Sequence, residues 1–172
     1  MTLLLERRYT EIRIEDLLQA SGVGRSTFYE NFRDKDALLV CCMDQMTDAL
    51  SGLPFDDGEL ISVVVLLEHL WAMRSRMRSL LQGIPLRKVR QDLVAKMEAR
   101  LSGQTRRIAI PARLAAWALV DAMLSPILAW LSGEAWCSAS DLASTMQRTS
   151  RAMLENVSER DSPEKAHHPH HG

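Results

Sequence analysis

Cysteine is scarce: of three in 172 residues, Cys41 and Cys42 are adjacent and Cys137 is far away, which gives neither an even disulfide framework nor a zinc spacing. A reducing, cytoplasmic setting is expected. Histidine is scarcer still in the body of the chain. Only His69 stands outside the terminal cluster His167, His168, His170 and His171, and no second ligand sits at metal spacing on its helical face, so no metal site is expected. Eight glycines and six prolines, with no sustained alternation of Val, Ile or Thr, exclude an all-β chain and leave the 3.6-residue pattern nearly everywhere. The expected class is all-α. No Ser-His-Asp order, nucleophile elbow, phosphate loop or HExxH is present, so neither an enzyme nor a cofactor is expected.

A surplus of either charge is also missing. The formal net charge is -1, and residues 1–40 carry six Lys or Arg against seven Asp or Glu. Any affinity for nucleic acid must therefore come from local placement rather than from the field of the whole molecule. No charged segment followed by an apolar run and a cleavage site opens the chain, so export is not expected. The longest apolar stretch, residues 114–131, has the length of a membrane span but holds Asp121 and Pro126, so a helix buried in a core or interface is expected, and no membrane partner.

Punctuation divides the chain at 52–58, where Gly52, Pro54, Asp56, Asp57 and Gly58 cluster. Residues 1–51 form the first expected unit and 52–157 the second, with a polar, non-periodic tail at 158–172 expected to be disordered. Leu3, Leu4 and Leu5 before Glu6, Arg7 and Arg8 read as the end of a first helix whose beginning is absent. Further helices are expected over 14–20, from Arg25, over 35–50, 59–81, 86–101, 111–131 and 140–157.

The richest segment is Ser21 to Leu38, Ser-Gly-Val-Gly-Arg-Ser-Thr-Phe-Tyr-Glu-Asn-Phe-Arg-Asp-Lys-Asp-Ala-Leu. Gly22 supplies the permissive backbone of a tight inter-helix turn, Val23 is expected to plug the corner, and Gly24 is a weak N-cap. The i, i+4 pair Phe28 and Phe32 shares one helical face, which leaves Arg25, Ser26, Tyr29 and Arg33 elsewhere. Together with Ile14-Glu15-Asp16-Leu17 upstream, this stretch, from about Tyr9 to Leu39, resembles the N-terminal signature of TetR-type transcriptional regulators.

That resemblance implies an N-terminal helix-turn-helix DNA-binding domain followed by a helical effector-binding and dimerisation domain. It implies double-stranded operator DNA as a partner, with Thr27, Tyr29 and Asn31 at positions that usually hold the DNA backbone, Arg25 and Ser26 near base edges, and Lys35 on a phosphate. Three positions depart from the pattern. Leu18 stands where alanine usually allows close helix approach, Arg13 replaces a Thr or Ser cap and becomes a possible phosphate partner, and Glu30 brings a negative charge expected to pair with Arg33 or Arg25. A fold that has kept dimeric small-molecule or protein binding but lost operator binding is the alternative.

In the second unit Trp71, Met73, Met77, Trp117 and Met123, with Trp130 and Trp136, suit either a helical core or the walls of an adaptable effector cavity. Asp121, the single acid of its apolar helix, needs a partner such as Arg74 or Arg78, or a cationic or hydroxylated ligand. A homodimer is expected through 111–131 and 140–157, which read as more apolar than a monomer's surface allows.

Overall fold

A 3-10 turn at Tyr9–Glu11 leads into eight α-helices: α1 Ile14–Ser21, α2 Arg25–Asn31, α3 Lys35–Gly52, α4 Leu60–Ala72, α5 Arg74–Leu80, α6 Gly83–Ser102, α7 Ala112–Ser132 and α8 Ala139–Val157. This is the computed structural model, which describes residues 9–55, 59–105 and 108–158. Among the described residues the fold is all-α, with one isolated antiparallel bridge between Ile108 and Ser158 and no strand. The expected first helix in 1–8, the end of the linker at 56–58 and the tail beyond Ser158 lie outside the described residues.

Helix ends follow the local chemistry. Asp34 caps α3 by accepting from the Ala37 amide at 2.8 Å, and Ser138 caps α8 by accepting from the Asp141 amide at 3.0 Å. Arg13, the N-cap of α1, has no acceptor to offer, so only half of a capping box forms. Its backbone N–H donates to Asp16 Oδ2 at 2.8 Å. Pro85 sits in the first turn of α6, where a missing N–H costs little.

The helix expected over 59–81 is two helices. Met73, at φ -107° and ψ 20°, separates α4 from α5, and α5 restarts with the Arg76 and Met77 amides on the Met73 carbonyl. Sequence polarity explains the break. α4 is apolar nearly all round, whereas α5 must hold Arg74, Arg76 and Arg78 out while burying Met77, Leu80 and Leu81. At the joint, Trp71 lies on Trp130 with ring centroids 4.5 Å apart, and the Arg74 guanidinium lies 4.9 Å from the Trp71 ring.

α3 packs most extensively on α6, α6 on α7, and α8 on both α7 and α4. One buried apolar cluster runs from Tyr9 to Met146. The boundary expected at 51/52 is therefore not an exposed linker on its first side: Leu53 and Phe55 belong to the core, and Arg151 Nη2 donates to the Phe55 carbonyl at 3.0 Å.

α7 is long and apolar enough to cross a membrane by length and composition, but half of that stretch is buried against its neighbours. Nine of its residues, including Met123, Leu124, Ile127 and Trp130, face the interior of the single chain. The outward face of α8 is polar, with Ser140, Asp141, Thr145, Arg148, Thr149 and Glu155 exposed. The core of one chain thus takes up the inward apolar faces of both helices, while α7 keeps Leu114 and Ala118 exposed and Trp117 and Leu128 half-buried.

Candidate nucleic-acid interface

Gly22 ends α1 in the left-handed region at φ 68°, with its N–H on the Leu18 carbonyl at 3.0 Å. No side chain obstructs that position, but the backbone conformation itself favours glycine. The chain then turns through Val23 and Gly24 into α2. Val23 does not plug the corner, being 40% exposed. α1 and α2 approach each other closely at few points, consistent with the bulk of half-buried Leu18 where a smaller residue would let them meet.

One residue fixes the face that α2 presents. Phe28 is buried, with Phe32 tilted against it at 5.6 Å and the Tyr29 ring edge-on at 5.4 Å. Arg25, Ser26, Thr27, Tyr29, Glu30 and Asn31 are consequently all exposed, Tyr29 at 47%. Within this surface Asn31 Nδ2 donates back to the Thr27 carbonyl at 2.8 Å, so its amide oxygen remains free of that bond. Gly24 gives α2 no side-chain cap, which leaves the amides of the first turn directed at solvent.

Two cations are engaged within the chain. Arg25 Nη2 meets Glu15 Oε1 across the turn at 2.6 Å, with both side chains more than 60% exposed. Arg33 pairs with Asp34 at 3.3 Å. Glu30 therefore pairs with neither of its expected partners, because each has a nearer carboxylate. Arg13 is exposed at the start of α1.

Lys35 poses a puzzle in the sequence, since a cation in the first turn of a helix opposes the macrodipole. In the structure its ammonium donates to the carbonyls of Tyr9 at 2.9 Å and Ile12 at 3.0 Å and lies 4.5 Å from the centroid of the Tyr9 ring. Oxygens at the end of the 3-10 turn thus supply the negative potential that α3 lacks. Beside it, the buried Tyr9 hydroxyl donates to Asp36 Oδ1, and Lys88 of α6 meets Asp36 Oδ2 at 3.2 Å.

The Tyr9 bond holds the Asp36 carboxyl below its usual range against the opposing effect of burial, with Lys88 adding to the lowering. Burial, then the Asp36 bond, pushes the Tyr9 phenol up. This latch between the N-terminal turn and α6 has no signal in sequence spacing, because it joins residues 9, 36 and 88.

The residues expected to line an effector cavity differ in burial. Met77 and Met123 are fully in the core, Trp71, Met73 and Trp117 are half-buried, and Trp136 is 77% exposed. Asp121 pairs with neither Arg74 nor Arg78. Its Oδ1 lies 3.3 Å from Arg90 Nε, both atoms shut from solvent but misaligned for a hydrogen bond. A cleft of about 440 Å³ opens elsewhere, between the α5–α6 turn and the C-terminal half of α7, and none of the expected residues lines it. No family model, curated protein or solved structure matches the chain.

Proposed function

We propose that this chain is a ligand-responsive, DNA-binding transcriptional regulator of the TetR type, a cytoplasmic homodimer that represses from a pseudo-palindromic operator and is released by a small apolar or amphipathic effector. The observation that supports this reading is the pairing of a glycine-bound turn with a short helix anchored by Phe28, whose outer surface carries Arg25, Ser26, Thr27, Tyr29 and Asn31. α2 enters the major groove and α1 lies across the backbone. Uncapped amides at the start of α2 and the exposed Arg13 take phosphate, Arg25 and Ser26 read base edges, and Lys35, beyond its two carbonyl bonds, adds positive charge toward a further phosphate.

The Arg25–Glu15 pair does not prevent this. An ion pair so exposed contributes roughly 0–1 kcal/mol, whereas an arginine bidentate on guanine discriminates by about 1–3 kcal/mol, so Arg25 exchanges partners at a net gain. The same pair, with the near-neutral charge of residues 1–40, favours the second reading, a dimeric binding module without an operator.

Selection from randomised duplex DNA separates the two. A recovered site with two half-sites about 34–36 Å apart supports the regulator, and recovery of no sequence above background supports the module.

A further inference from the structure

We propose that the cleft between the α5–α6 turn and the C-terminal half of α7 is a binding site for a monoanionic amphiphile, a monocarboxylate with an aliphatic or aromatic body. Its volume of about 440 Å³ is within the range of small-molecule sites. The apolar part of the lining comes from Leu81 and Leu131, both nearly closed to solvent, and from half-buried Leu128. Such a floor takes the body of the ligand and leaves its charged end to the rim.

The rim assigns the sign of that charge. Arg78 lines the cleft, is exposed and has no ion-pair partner among the described residues. A guanidinium offers a planar pair of donors that matches a carboxylate. Gln82, also on the rim, is the N-cap of the 20-residue α6 and makes no side-chain cap bond, so the positive end of that helix adds to the field of Arg78. The surrounding sequence reinforces it. From Arg74 to Arg90 there are six Lys or Arg and no Asp or Glu, and only Lys88 and Arg90 have carboxylate partners among the described residues.

Glu134, at the exit of α7, is the one carboxylate in the lining. Its charge disfavours a second carboxylate in the cleft, which sets a monocarboxylate above a dicarboxylate of equal length. The site does not depend on the chain binding DNA, so its test uses the DNA-free protein.

Isothermal titration calorimetry of the full chain with octanoate, octanedioate and octan-1-ol tests the proposal. Octanoate should bind saturably, one per chain, with the other two weaker by about tenfold or more, a gap of about 1.4 kcal/mol. Arg78→Gln should weaken octanoate by about tenfold, Ser125→Leu should abolish binding by filling the cleft, and Glu134→Gln should bring octanedioate close to octanoate. Arg78 and Ser125 are both exposed, and an unchanged thermal melt by circular dichroism confirms that each variant is folded. Absence of saturable octanoate binding, an octanoate affinity unchanged by Arg78→Gln, octanoate binding that survives Ser125→Leu, or a dicarboxylate that binds the unaltered chain as tightly as octanoate overturns the proposal.

Discussion

At the scale of the residue, two glycines two positions apart have opposite requirements. Gly22 has φ 68° and no neighbour within 4 Å of a built Cβ, so its constraint is conformational alone. Gly22→Ala should destabilise the chain by about 1–2 kcal/mol in urea unfolding. Gly24, at φ -66°, has room for a side chain. Gly24→Ser should be neutral or stabilising by a few tenths of a kcal/mol, because serine adds the cap that α2 lacks. Equal effects at the two positions would show that the turn is not what constrains Gly22.

Arg25 belongs to the same scale. Because it must leave Glu15 to reach a base edge, Glu15→Gln should strengthen duplex binding by up to about 1 kcal/mol, and an unchanged affinity would remove Arg25 from the contacts.

At the scale of the element, the latch of Tyr9, Asp36 and Lys88 joins the N-terminal turn, α3 and α6. Asp36→Ala leaves the buried Tyr9 hydroxyl without its acceptor and should cost about 1–3 kcal/mol, whereas Tyr9→Phe removes only the donor, leaves Asp36 paired with Lys88 and should cost about 1 kcal/mol. The pH dependence has a definite sign. Asp36 is lowered in the folded state, so its contribution is present above the ordinary carboxyl value of 3.8 and is lost as pH falls below it. Tyr9 is raised, so its contribution is present below 10.0 and is progressively lost above it. The stability difference between the natural chain and Asp36→Ala should therefore be flat between those values and shrink on both sides. A difference that grows toward acid would contradict the latch.

The elements also show what the sequence makes legible. Apolar spacing finds α1 and its inward Leu17, the Phe28 and Phe32 face of α2, and α3, α6, α7 and α8 to within three residues, since those patterns are local. The break at Met73 follows a change of polarity from α4 to α5 and has no glycine or proline to announce it, while the stacking of Trp71 on Trp130 at that joint lies 59 residues away in sequence. The partner of Asp121 was illegible for the same reason: Arg90 is as plausible by composition as Arg74 or Arg78, and only the packing of α6 on α7 selects it. Of the candidate contact surface, exposure on α2 follows from helical phase. The engagement of Lys35 with the Tyr9 and Ile12 carbonyls does not, because it depends on the fold of a 3-10 turn more than twenty residues away.

At the scale of the molecule, a single apolar cluster among the described residues joins Leu17 of α1 and the N-terminal turn to α3 and α6, so a change at the α5–α6 turn has a continuous route to α1 through packed side chains and the Asp36–Lys88 pair. Dimerisation is the other requirement of a two-half-site regulator. Leu114, near the start of α7, is 58% exposed, so Leu114→Asp should leave the monomer fold intact while shifting a dimer toward monomer in sedimentation equilibrium. A dimer of unchanged affinity would exclude the start of α7 from the interface, and a stable monomer of the unaltered chain at micromolar concentration would contradict assembly altogether.

The central claim is that the solvent face of α2, together with Arg13, meets duplex DNA. Fluorescence anisotropy of the full chain on its selected duplex, or on the DNA upstream of its own coding region, across a salt series tests it most directly. The account predicts that log affinity falls linearly with log salt, that Arg13→Ala lowers the magnitude of the slope by about 1, and that Tyr29→Ala weakens binding without altering the slope. Binding that is absent at low salt, or that is unchanged in both variants, would contradict it.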